Sequence, residues 1–133
     1  MTVCHGDLTN KNVMLDESGR VYLIDWQTTF CGCLLIDLAF YLHYSIDLTE
    51  SLETELLEWY HTCLVKEGCV VELTDIKRLY NRATVYAFLW YACGSGLILY
   101  FSKDQKDKAA RFHRCLDKCL RLFESSRDEL FGF

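Results

Sequence analysis

The chain has 133 residues, 51% of them hydrophobic and 25% charged, which suits one domain with a genuine core and excludes overall disorder. A net charge of −5 excludes a nucleic-acid surface, which needs clustered Lys and Arg. There is no proline, so breaks between elements must come from Gly, Asn, Asp and Ser. No basic stretch precedes an apolar run in the opening Met1 to Leu8, so no secretory signal is read. The eight cysteines are then expected to be reduced thiols of a cytoplasmic protein, mostly filling core space as small apolar groups.

In chain order, the first elements are two short apolar runs, Val13-Met14-Leu15 and Val21 to Ile24. Asp16-Glu17-Ser18-Gly19 lies between them as a polar turn, which predicts a β-hairpin with Asp25 ending its second strand. After Asp25 the pattern is helical. Leu34 to Tyr44 predicts an apolar helix interrupted by Asp37. Asp47 and Glu50 have capping-box spacing. The helix they open carries Leu52, Leu56, Trp59, Tyr60, Cys63 and Leu64 on one face, and Lys66 with Gly68 stops it. Thr74 is the expected N-cap of the next helix, which runs to about Cys93 before Gly94-Ser95-Gly96 weakens it. A last helix from Gln105 to Phe123 is expected to bury Ala109, Phe112, Leu116, Cys119, Leu120 and Phe123, with Lys106, Arg111, Arg114, Lys118 and Arg121 outside.

Ala83 to Phe101 holds no charged residue and is long enough to span a membrane. The two glycines inside it, and the polar helical segment that leads into it, favour a central buried helix instead. Trp59, Trp90, Tyr86 and Tyr91 have helical spacing and read first as core. His43 and His61 read as packed or surface histidines. Arg78 and Arg82 read as ion-pair partners of carboxylates such as Asp75. Cys31 and Cys33 could begin a metal site, but no second pair at zinc-finger spacing follows. Cys115 and Cys119, one turn apart, read as a helix face.

The chemistry is concentrated in His5-Gly6-Asp7-Leu8-Thr9-Asn10-Lys11-Asn12 and, after the hairpin, Leu23-Ile24-Asp25-Trp26-Gln27. Phosphoryl transfer needs a carboxylate to hold the attacking hydroxyl and hard oxygen ligands to hold Mg²⁺ against the nucleotide phosphates. Asp7 and Asn12 can supply the first carboxylate and one side-chain carbonyl. The hairpin would fold back to bring Asp25 beside Asn12. The plainer alternative makes Asp7 and Asn12 turn residues and Asp25 and Asp37 helix caps.

These two segments resemble the catalytic loop and metal-binding strand of the aminoglycoside phosphotransferase and choline kinase-like superfamily. Their H-G-D-x-x-x-x-N pattern is similar in role to H-R-D-x-x-x-x-N of protein kinases. The Ile24-Asp25-Trp26-Gln27 ending, Gly32, and the run Ile36-Asp37-Leu38-Ala39-Phe40-Tyr41-Leu42 are most similar to the ecdysteroid kinase-like branch. The resemblance implies an α+β, mainly α fold: a kinase-like C-terminal lobe, with the loop and hairpin in residues 1–30 and a helical substrate-side region in 34–123. It implies Asp7 as catalytic base, His5 as a loop-shaping residue, Asn12 and Asp25 as Mg²⁺ ligands, and Asp37 as a buried brace. ATP and Mg²⁺ are the implied cosubstrate and cofactor, and a hydroxyl on a small molecule the implied acceptor. Lys11 has two readings, a solvated loop residue or a phosphate contact. A kinase of this type also needs a glycine-rich loop, a strand Lys and its Glu partner. The sequence holds none of these, so a missing N-lobe or a partner chain is expected, or else a non-catalytic interaction module.

Overall fold

The computed structural model describes residues 1–101 and 106–125, apart from the side chains of 93–101, 106–108 and 111. It is α+β and mainly helical. The short strands are β1 (Thr2–Cys4), β2 (Val13–Leu15), β3 (Val21–Leu23) and β4 (Phe30–Gly32). They are followed by α1 (Leu35–Ser45), α2 (Glu50–Lys66), α3 (Leu73–Phe101) and α4 (Lys106–Ser125).

β2 and β3 form the expected hairpin, with Val13 opposite Leu23 and Leu15 opposite Val21. Its turn is organised by Asp16, whose Oδ1 accepts from the amides of Ser18 and Arg20 and from the Ser18 hydroxyl. Those bonds hold the Asp16 carboxyl below its usual range. The second strand pair was not expected. β1 runs antiparallel to β4, with Cys4 opposite Phe30. Residues 26–32, read from sequence as the start of the helical region, instead form a 3₁₀ turn (Trp26–Thr28) and this strand. Three-residue strands carry no usable alternation, and here the partner is 26 residues away, so pattern alone cannot reveal them.

The core lies between the helices. α1 contributes Leu35, Ile36, Ala39, Phe40, Leu42 and Tyr44; α2 contributes Leu57. On α3, Ile76, Tyr80, Ala83 and Ala87 stand at i, i+4, i+7 and i+11, one stripe of the helix. On α4 the core residues are Cys115 and Cys119. Alanines and cysteines at these crossings let the helix backbones approach closely.

Several boundaries and faces differ from expectation. The N-cap of α2 is Thr49, whose hydroxyl accepts from the Leu52 amide at 3.2 Å, while Asp47 pairs with Arg114 instead. α3 begins at Leu73, so Thr74 lies inside it, within the usual uncertainty of a helix end. Its backbone continues through Gly94-Ser95-Gly96; two glycines cost only about 2 kcal/mol in a helix interior. Trp59, Trp90 and Tyr86 are exposed, not core, as are Leu120 and Phe123 of α4. Lys118 turns inward, with 16% of its side chain exposed, and bonds Glu53. His43 is packed, and Arg78 pairs with Asp75 at 2.8 Å. The side chains of the outer-face residues Lys106 and Arg111, and those of Cys93 and Tyr100, are not among those described, and Lys103 lies outside the described residues.

The seven described cysteines are free thiols, and only Cys4, Cys115 and Cys119 are buried. Among the described residues no helix is long and apolar enough to cross a membrane.

Candidate active site

The loop from His5 to Asn12 joins β1 to β2 and lies against α1. Asp37, in the first turn of α1, accepts the amide of His5 at 2.7 Å with Oδ2 and that of Gly6 at 2.9 Å with Oδ1. Asp37 is therefore no cap of its own helix. It holds two consecutive loop amides in a pair of charge-assisted bonds. On the other side, the Thr28 hydroxyl donates to the His5 carbonyl at 3.1 Å.

His5 is 1% exposed. Its Nδ1 accepts from the Asp7 amide at 3.3 Å, so the proton sits on Nε2, which donates to the Ile24 carbonyl at 2.8 Å. The ring thereby ties the loop to the end of β3, and it packs against Trp26 at 4.7 Å between centroids. Gly6 has φ +84°, and a Cβ there would meet the Thr28 carbonyl oxygen at 2.3 Å. Only glycine meets both conditions.

Asn12 is 8% exposed and ends the 3₁₀ turn Asn10–Asn12. Its Nδ2 donates to the Asp7 backbone carbonyl at 2.8 Å and to Asp7 Oδ2 at 3.1 Å. Asp7 and Asn12 are thus in direct contact. With the amide nitrogen spent on Asp7, the Asn12 Oδ1 has no hydrogen-bond partner among the described residues. An unpartnered acceptor this deeply buried calls for an explanation.

Asp25 is joined to this pair through the backbone: the Ile24 amide donates to the Asn12 carbonyl at 3.0 Å. Asp25 itself has φ 64° and ψ 59°, and is the one non-glycine residue at positive φ among those described. That conformation costs about 1–2 kcal/mol, and such strain gathers at functional sites. Although Asp25 precedes the 3₁₀ turn Trp26–Thr28, its side chain makes no capping bond. Its exposed carboxylate has no partner among the described residues. Lys11 is exposed and has no ion-pair partner among them either.

The donor chemistry fits Mg²⁺, which prefers hard oxygens, takes few protein ligands and keeps several waters. The Asn12 carbonyl and the Asp25 carboxylate are of that kind. Among the described residues, no group of three or more His, Cys, Asp or Glu side chains could hold a metal ion.

One loop support escaped the sequence reading. The Asn10 amide donates to the Ser45 hydroxyl at 2.8 Å. Ser45 is the last residue of α1, one beyond the helix end read from the apolar pattern. A lone hydroxyl two turns beyond Asp37 on the same helix was the available signal.

The family model of the ecdysteroid kinase-like family matches residues 1–72, more than half of the chain. The chain belongs to the ecdysteroid kinase-like family. The matched region holds the whole loop, the hairpin, α1 and α2, and thus each residue of the site. Family membership implies a kinase-like lobe for this helical architecture with two small two-stranded sheets. No curated protein and no solved structure matches the chain.

A second polar cluster includes His43, in the last turn of α1. Glu53 accepts from the Tyr80 hydroxyl at 2.8 Å and is bonded by Lys118. His43 Nε2 lies 3.2 Å from the Tyr80 hydroxyl and 3.3 Å from that of Thr84. Burial, with Lys118 adding to it, pushes the His43 pKa down to about 4. A cleft of about 280 Å³ opens beside this cluster, bounded by Thr49, Glu50, Arg114, Lys118 and Arg121. Each of its three cations is already paired, with Asp47, Glu53 or Glu50.

Proposed function

We propose that this chain is the catalytic-loop lobe of a small-molecule kinase that transfers the γ-phosphate of ATP to a substrate hydroxyl. The observation that carries this reading is the Asp7–Asn12 contact, which leaves one carboxylate oxygen of Asp7 and the buried Asn12 carbonyl without partners among the described residues, with the strained Asp25 two residues beyond β3. In the proposed reaction Asp7 accepts a hydrogen bond from the acceptor hydroxyl, orients it, and takes its proton as the oxygen attacks. Asn12 steadies Asp7 through Nδ2 and turns its carbonyl oxygen toward a metal ion shared with Asp25. Mg²⁺, when bound there, supplies charge neutralisation at the nucleotide phosphates. Lys11, exposed on the same loop, is the proposed phosphate contact. Asp37 and His5 hold the loop in shape and touch neither substrate.

This reading also needs a second surface over the nucleotide. The hairpin exposes Met14, Leu15, Val21, Tyr22 and Leu23 on its two faces, and Ile24 and Trp26 just after it are exposed as well. Apolar residues grouped in this way mark an interaction face. We place there an N-lobe or a partner chain carrying the phosphate-holding groups. The same face supports the second reading, a non-catalytic module that binds a protein partner.

The two are separated by Mg·ATP binding to this chain, measured by calorimetry with Asp25→Asn as control. Metal-dependent binding lost in Asp25→Asn supports the kinase; none in either protein favours the interaction module. In a full-length parent, Asp7→Ala should abolish phosphorylation and leave the melting temperature close to wild type. Full activity in that variant defeats the assignment.

A further inference from the structure

α1 touches the loop at both of its ends. Asp37 holds the amides of His5 and Gly6 near its start, and Ser45 holds that of Asn10 at its last residue. Eight residues of helix amount to about 12 Å of rise and about 80° of rotation, so the two side chains emerge on adjoining parts of one side. The loop therefore spans the length of α1, fixed at each end. Asn10 opens the 3₁₀ turn that Asn12 closes, and the Asn12 amide donates to the Thr9 carbonyl at 2.9 Å. Within so short a turn, a displacement of Asn10 carries Asn12 with it.

Helix formation does not account for a serine at this position. Alanine would favour the helix by about 0.5 kcal/mol, and a serine inside a helix commonly bonds back to its own preceding turn. Ser45 instead accepts from a residue 35 positions earlier, and it is only 9% exposed.

We propose that Ser45 is a positioning residue for Asn12: by accepting the Asn10 amide, its hydroxyl fixes where the Asn12 side-chain carbonyl is presented. The inference rests on the reading of Asn12 as a metal ligand. Supports of this indirect kind typically change metal affinity by about tenfold or more when removed.

The test is a Mn²⁺ titration of the whole chain, followed as paramagnetic broadening of the Asn12 side-chain amide signals in NMR spectra. Ser45→Ala should weaken Mn²⁺ binding by about tenfold and shift those signals before any metal is added. Thr84→Val, in the buried cluster around His43, serves as a destabilised control remote from the loop and should leave Mn²⁺ binding unchanged. Two results overturn the inference: Ser45→Ala binding Mn²⁺ as well as wild type, or Thr84→Val weakening it as much as Ser45→Ala does. If wild type shows no broadening, the metal reading itself has failed and the inference falls with it, so the two failures are distinguishable.

Discussion

Replacing Asp37 removes the acceptor for two amides at once. The bonds are short, at 2.7 and 2.9 Å, and the amides belong to His5 and Gly6, both buried. Hydrogen bonds to charged groups contribute about 1.5–3 kcal/mol each, which sets an upper value near 6 kcal/mol for Asp37→Ala. Asp37 also lines a cleft of about 300 Å³ together with Leu8, Leu34, Leu38 and Tyr60, so water can reach the abandoned amides. The expected loss is then about 3 kcal/mol, a large share of the about 5–15 kcal/mol that holds a domain together. Asp37→Asn separates charge and geometry from mere size. Its amide nitrogen would face one of the two backbone N–H groups, donor against donor, so it should be no better than Ala despite its shape. Urea unfolding at pH 7 gives the stability, and amide hydrogen exchange locates the loss. His5 and Gly6 should exchange faster in both variants, well before the core residues of α1. An Asp37→Asn protein within about 0.5 kcal/mol of wild type, or unchanged exchange at His5 and Gly6, would refute the two-amide account.

Gly6→Ala should destabilise by about 3 kcal/mol or more, since positive φ and a 2.3 Å clash with backbone act together. Gly19→Ala has similar φ and open space, and should lose only about 1 kcal/mol in the same thermal melts; equal losses would show that the clash is relieved. For His43 the sign follows from a native pKa of about 4 against an ordinary 6.5. The unfolded chain takes up the proton first, so this stability is whole above pH 6.5 and falls as pH drops toward 4. About 2 kcal/mol should be gone by pH 5. His43→Gln lacks this term, so its deficit relative to wild type should shrink by that amount between pH 7 and pH 5; a constant deficit contradicts a buried, neutral His43.

The loop, the hairpin and Asp37 were legible because each has a local signature: residue types at fixed offsets, strand formers on both sides of a polar turn, an acid inside an apolar helix. What stayed hidden depends on partners far away in the chain. β4 exists because Phe30 to Gly32 pair with Thr2 to Cys4, and nothing within either triplet announces it. Lys118 reads as solvent-facing by its position on α4, yet Glu53 and the Tyr80 ring, 4.7 Å from its ammonium, draw it inward. Trp59 stands about 160° around α2 from the buried Leu57, so the apolar face read from the sequence is turned away from the real one, while Trp90 follows the stripe of α3 but stands at its margin. The left-handed backbone of Asp25 likewise has no sequence sign, since aspartate at a strand end is compatible with ordinary turns.

The two polar clusters share α1, and that sharing explains why buried polar groups persist among the helices. Asp37 and Ser45 turn to the loop, while His43 reaches Thr84 and Tyr80 on α3. A core of alanines, cysteines and aliphatic residues would tolerate α1 sliding or turning by one residue at modest cost, because apolar contacts are not directional. A slip of one residue turns a helix by about 100°. It would break the Asp37, Ser45 and His43 bonds together and leave the buried Ser45 and His43 without partners, at about 1–3 kcal/mol apiece. Together these bonds oppose such a slip and hold α1 in one register against the other helices.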